Sequence, residues 1–183
     1  MNDHPFLSDI KELRRRAQEN IDQGAVTSEY GRDINQALRT LNQVLASELV
    51  CVLRYKHHYY MAKGIHAEPV AAEFLQHAND EQEHADRVAQ RITQLGGDPD
   101  FNPEGILTRS ASQYGDSTSS LIGMIKEDLV AERVVIMWYG EIVRWFGDND
   151  PTSRRMMEDL LAQEEDHADD LADLLVNLDV AVT

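Results

Sequence analysis

Leu41, Leu45, Glu48, Val52, Tyr55 and Tyr59 recur three or four residues apart, which predicts a helix from about Arg32 to Lys63 with one apolar face. A second stripe, Phe74, Ala78, Glu81, His84, Val88, Ile92 and Leu95, predicts another from about Pro69 to Leu95. Gly64 can close the first helix in a left-handed conformation, and Pro69 suits the first turn of the next. The stretch from Gly96 to Ser120, with Gly97, Pro99 and Pro103, is too long for a simple turn and can run the length of a bundle. Beyond it, Leu121, Ile125, Asp128, Glu132, Val135, Tyr139, Ile142 and Phe146 mark a third helix from about Ser120 to Phe146. Met157, Leu161, Glu164, His167, Leu171, Leu174 and Leu178 mark a fourth from about Pro151 to Leu178, with Asp150 as its N-cap.

The two halves repeat. Glu48, Tyr55, Gly64, Pro69, Glu81 and His84 match Glu132, Tyr139, Gly147, Pro151, Glu164 and His167 at offsets of 82 to 84 residues. Each half reads as a helical hairpin. Two antiparallel hairpins joined by a long crossover make an all-α four-helix bundle of ferritin-like connectivity over residues 32–183. Residues 1–31 read as an N-terminal extension; Phe6, Ile10, Leu13 and Ile21, behind Ser8, suggest a short helix within residues 6–23.

Every seam carries acids where apolar residues belong. Glu81 and His84, like Glu164 and His167, are three residues apart, so each pair aims a carboxylate and an imidazole at one point. Glu48 and Glu132 stand in the middle of the other two seams. Burying four carboxylates without counter-charge would cost several kcal/mol per ion, against a domain stability of about 5 to 15 kcal/mol. Two divalent cations balance four carboxylates, and neutral imidazoles add nitrogen ligands at no charge. The six residues therefore read as a two-metal site suited to iron or manganese. A lone Glu-x-x-His usually lies on a solvated face; two matched motifs with two further seam glutamates are a far stronger signal.

Tyr55 and Tyr139, two turns after Glu48 and Glu132, can hydrogen-bond a ligand carboxylate or serve as core aromatics. Asp128, one turn before Glu132, can orient the ring of a ligating histidine or be a surface acid. His57, His58, His66 and His77 lack matched partners and are expected to be exposed or ordinarily packed. The Met and Trp residues of the third and fourth helices read as core, and Cys51 as a small buried residue.

Composition narrows the partners. A formal net charge of −16 over 183 residues favours cations over nucleic acid or anionic membrane. The one basic cluster, Lys11, Arg14, Arg15 and Arg16, is either a DNA-touching arm or one face of a solvated helix. A single cysteine excludes a disulfide framework and a four-cysteine iron site, and favours an intracellular, cytoplasmic protein. Met1 to Ile10 has no signal-peptide core, and the longest apolar run, Val134 to Tyr139, is too short to span a bilayer.

With these motifs, the chain from about Asn35 to Leu178 resembles bacterioferritin-type members of the ferritin-like superfamily, including Dps-like ferritins. The resemblance implies Glu48 and Glu132 as terminal ligands, Glu81 and Glu164 as bridges, His84 and His167 as nitrogen ligands, and Tyr55 beside the site. It implies a ferroxidase: two Fe(II) oxidised by dioxygen or hydrogen peroxide, the ferric product stored in a homo-oligomeric shell. Bacterioferritins hold haem through a methionine directly after the first bridging glutamate; here that residue is Gln82, which argues against haem. The chain ends sixteen residues after His167, leaving little room for the fifth helix of 24-subunit ferritins and favouring a shell of twelve. The cysteine pair of some Dps-like relatives is absent. Competing readings are a rubrerythrin-like peroxidase, a dimanganese catalase using manganese in place of iron, and a DNA-protecting structural bundle.

Overall fold

The apolar seams do become buried helix faces. A computed structural model describes residues 9–19, 21–22, 24–27, 29–115 and 120–182, and among them lie six α-helices and no strand. They are α1 (Ile10–Glu19), α2 (Ile34–Met61), α3 (Ala67–Gln94), α4 (Pro103–Arg109), α5 (Leu121–Phe146) and α6 (Pro151–Val182). The long helices pair as hairpins, α2 on α3 and α5 on α6.

Capping sets their ends. The Asp33 side chain accepts from the backbone N–H groups of Asn35 and Gln36 at the start of α2, and Ser120 accepts from Gly123 at the start of α5. Asp150 accepts from the Ser153 N–H at 2.9 Å, the N-cap expected for α6. Gly147, with φ of 47°, turns the chain out of α5 through a backbone conformation that residues with side chains rarely adopt. Gly64 does not cap α2 as expected: the helix stops at Met61 with Ala62 extended, and Gly64, at φ of 116°, turns within the connection instead.

Two clusters fill the bundle on either side of the acid-bearing layer. One gathers Leu41, Leu45, Val88, Ile92, Tyr139 and Phe146; the other gathers Tyr55, Val70, Phe74, Met124, Ile125 and Leu171. Glu48, Glu81, Glu132 and Glu164 lie between these clusters in sequence, held on rigid helix centres.

The crossover was not expected to contain a helix. Asn102 caps Glu104, Pro103 takes the first helical position, and α4 packs against α2. Beyond α4, Ser47 accepts from the Ala111 N–H and Arg54 donates to the Gln113 carbonyl, so polar groups of α2 anchor the connection. Of the N-terminal helix expected over residues 6–23, α1 accounts for Ile10–Glu19; Phe6 and Ser8 lie outside the described residues. The Met and Trp residues of α5 and α6 are not uniformly core. Met124 and Met157 are buried, but Met137 is exposed and Trp138 and Trp145 are half-buried, lining a surface groove with Gln36, Thr40 and Gln43.

Candidate metal centre

The middle turns of all four long helices point inward at one place. Glu48 comes from α2, Glu81 and His84 from α3, Glu132 from α5, and Glu164 and His167 from α6. All six are buried. Their donor atoms form two groups, each spanning no more than 4.8 Å: Glu48, Glu81, His84 and Glu164, and Glu81, Glu132, Glu164 and His167. Glu81 and Glu164 belong to both. A bridging carboxylate between two cations needs this sharing.

The nitrogen facing the acids is Nδ1 in both histidines. His84 Nδ1 lies 3.1 Å from Glu164 and 3.6 Å from Glu48 and Glu81; His167 Nδ1 lies 3.4 Å from Glu164 and 3.5 Å from Glu81. The opposite nitrogens are engaged from outside. His84 Nε2 donates to the Gln163 side-chain oxygen at 2.8 Å, and His167 Nε2 sits 3.6 Å from Asp80. Such partners fix ring orientation and tautomer and leave Nδ1 free to ligate. Sequence reasoning missed Gln163 and Asp80; each directly precedes a glutamate shared by both donor groups, a position that the motif itself could have flagged.

The two tyrosines cross over. The Tyr55 hydroxyl on α2 donates to Glu132 on α5, and the Tyr139 hydroxyl on α5 donates to Glu48 on α2. Because each tyrosine follows its own helix's glutamate by two turns, the exchange is the sequence repeat written in hydrogen bonds, with α2 and α5 antiparallel.

Asp128 departs from expectation. It does not orient His84 or His167: it is wholly buried, accepts from His58 Nδ1 at 2.7 Å and from Arg54 Nε at 2.8 Å. Arg54, itself 1% exposed, thus brings a permanent positive charge beside the carboxylate layer. His58 is packed and bonded, His57 half-buried and His66 exposed, in line with the sequence reading.

Without a cation the site is electrostatically crowded. Burial and the neighbouring Glu81 carboxylate push Glu48 up to about 8, and burial with Glu81 and Glu164 raises Glu132 well above the usual range. Glu81 goes the other way: burial opposes ionisation, but the neighbouring Glu48 carboxyl and the His167 and His84 imidazoles, 3.5 and 3.6 Å away, hold it below its ordinary value. Burial disfavours charge on the histidines too, yet the carboxylates around them win. His84 is raised, and His167 is pushed up to about 11 by Glu164 and Glu81. Glu81 Oε1 and Oε2, Glu132 Oε2, Glu164 Oε2 and His167 Nδ1 are buried with no hydrogen-bond partner. Buried donors and acceptors are rarely left so, and five converging on one point fit metal ligation.

Fold and site together define a four-helix-bundle carboxylate protein with paired Glu-x-x-His motifs. Residues 38–181 match the Ferritin-like domain family, and the chain belongs to it. The chain is 31% identical over 143 residues to bacterioferritin BfrA of Mycobacterium tuberculosis, covering 78% of this chain and 85% of that one. It is 28% identical over 138 residues to the nutrient stress-induced DNA-binding protein of a Nostoc species, covering 74% of each. Among solved structures, the dodecameric thioferritin described as the bacterioferritin-related protein of Bacteroides fragilis superposes with a TM-score of 0.78 at 26% identity, over 93% of this chain and 96% of that one. Among the described residues no helix is long and apolar enough to cross a membrane.

Proposed function

We propose that the chain is a ferroxidase that binds two Fe(II) as substrate at this centre and oxidises them with dioxygen or hydrogen peroxide for iron storage and detoxification. The observation that carries the reading is that Glu81 and Glu164 belong to both donor groups, which lets two cations share two carboxylates. Two Fe(II) held side by side supply the two electrons that take dioxygen to hydrogen peroxide, or hydrogen peroxide to water, with two protons consumed in either case.

The chain's own residues prepare that event. Glu81 and Glu164 bridge; Glu48 with His84, and Glu132 with His167, complete each half. Tyr139 and Tyr55 hold the terminal carboxylates in place, and Gln163 and Asp80 hold the rings. Packing above and below the layer keeps bulk water from the reacting atoms. The donor types suit manganese as well as iron, so peroxide disproportionation by a dimanganese centre is the second reading. DNA coating through the basic cluster is disfavoured: Arg15 is paired with Glu12 and Glu19, and Arg16 with Glu12 and Glu29, which offsets part of the charge of α1 in a chain whose formal net charge is −16. The same reading assigns the chain a hollow shell of twelve, supported by likeness to the dodecameric Bacteroides fragilis protein and checked by light-scattering mass.

The test adds about two Fe(II) per chain to metal-free protein under oxygen, follows ferric absorbance, and repeats it with Glu81→Ala. A fast phase saturating near two irons and lost in the variant is expected. Equal rates in both proteins would remove Glu81 from the site, and rapid oxygen release from peroxide with little iron oxidation would favour the manganese reading.

A further inference from the structure

A third group of donor atoms lies beside the dinuclear centre, on its solvent side. Glu73 and His77 are one turn apart on α3, and Asp170 faces them from α6. One donor from each falls within 4.8 Å of the others: His77 Nε2 is 3.2 Å from Glu73 Oε1 and 3.7 Å from Asp170 Oδ2. Donors bound about 2.1 Å from one ion stand roughly 3 to 4 Å apart, so little movement is needed to close on a cation.

His77 makes this more than an acidic patch. Its side chain is 0% exposed, and neither ring nitrogen has a hydrogen-bond partner. Buried imidazole nitrogens are ordinarily satisfied, and this one is aimed between two carboxylates. The ring cannot readily swing away, because the Tyr55 ring meets it edge-on at 5.2 Å and the His167 ring stacks on it at 4.0 Å. Glu73 and Asp170, with side chains 27% and 52% exposed, open the group outward. Asp170 also rims a polar depression with Asp80, Asp166 and Asp169 that reaches His167.

We propose that Glu73, His77 and Asp170 form a third, mononuclear site for a divalent transition-metal ion, separated from the dinuclear centre by the stacked rings of His77 and His167. One imidazole and two carboxylates, with positions left for water, suit Fe(II), Mn(II) or Zn(II). The site rests on the proposed function only for which ion occupies it; an Fe(II) held there waits one ring's thickness from the ligand His167, on the path in from the acidic depression.

The test uses the full chain, stripped of metal, dialysed to equilibrium against Co(II), with anomalous diffraction from Co(II)-soaked crystals. About three ions per chain are expected, with one peak between Glu73, His77 and Asp170. His77→Ala should hold about two and lose that peak alone. Should His77→Ala not fold, the double variant Glu73→Gln/Asp170→Asn, altered only at solvent-reaching groups, should do the same with its helical circular dichroism kept. Asp166→Asn, in the same depression but outside the group, should retain all three; an equal loss there would reduce the effect to diffuse acidic attraction and overturn the proposal. Two ions at Glu81 and Glu164 with none at His77 would overturn it while leaving the dinuclear reading intact. A single His77-dependent ion would do the reverse.

Discussion

Tyr55 and Tyr139 each make one hydrogen bond, and each bond ties a buried carboxylate on one hairpin to a helix of the other. A tyrosine hydroxyl there does two jobs: it lowers the cost of a charge that burial resists, and it aims the carboxylate. Tyr139→Phe removes only the hydroxyl, so the ring's packing survives. Such partners typically contribute 10- to 100-fold in metal affinity or activity, and a loss of about that size is expected in Tyr139→Phe, measured by Co(II) titration and by the initial rate of iron oxidation. Tyr55→Phe should match it within the repeat's symmetry. That both tyrosines would find seam carboxylates was an open choice in sequence, because spacing within one helix says nothing of which residue on another lies opposite. Asp128 shows the same limit from the other side. Its place one turn before Glu132 suggested a ligating histidine as partner, but helix rotation turns it to His58 and Arg54.

Helices here are tied by buried ion pairs as well as by apolar seams. Arg54 of α2 reaches Asp128 of α5 and the crossover carbonyl of Gln113, and removing one member leaves a buried charge unanswered. Arg54→Met should cost roughly 3 to 5 kcal/mol in denaturant-measured stability. Arg54→Met with Asp128→Leu should recover part of that loss, since two apolar residues bury no charge. At the other end of the bundle, Asp150 caps α6 and receives Tyr30, Ser153 and Arg91. Burial alone would raise its carboxyl, but hydrogen bonds from the Ser153 hydroxyl and N–H and from Tyr30, with the Arg91 charge, hold it below the usual value of 3.8. A folded value depressed below the unfolded one means the unfolded chain binds the extra proton. The stabilisation is thus present above about pH 4 and is lost as pH falls through the folded value. Asp150→Ala should therefore lose at least the ~1 kcal/mol of an N-cap at pH 7, and the gap from wild type should narrow in acid, as read by urea unfolding at both pH values. The long helices were legible within about two residues because their periodicity is strong, except that α6 runs four residues past the expected Leu178 to Val182. The helix in the crossover was not, since Pro99 and Pro103 signal a break as readily as a start and seven residues carry no period.

On the scale of the whole molecule, burial and crowding raise the proton affinity of most groups at the bundle centre. His84, His167, Glu48 and Glu132 are all raised, so divalent ions compete with protons for the same ligands. Metal uptake at neutral pH should release several protons per chain, visible as a calorimetric enthalpy that changes with the buffer's ionisation heat, and affinity should fall as pH is lowered. The loaded protein should also melt higher than the stripped one, by about 2.7 kcal/mol of stability when free metal is a hundredfold above its dissociation constant. An uptake enthalpy independent of buffer would show the ligands to be already deprotonated.

The order of helices, the hairpin repeat and the six converging side chains were determined by sequence alone, because helical period and three-residue spacing are local properties that survive any packing. Which carboxylates each tyrosine meets, the turning of Asp128 toward Arg54 and His58, and the placing of His77 between Glu73 and Asp170 were decided only by tertiary structure. Those contacts join residues 70 to 93 positions apart, except the local Glu73–His77 pair, and depend on how far each helix rotates and slides against its neighbour. Rotation of that kind is set by side-chain interdigitation across the whole interface, which no single stretch of the chain encodes.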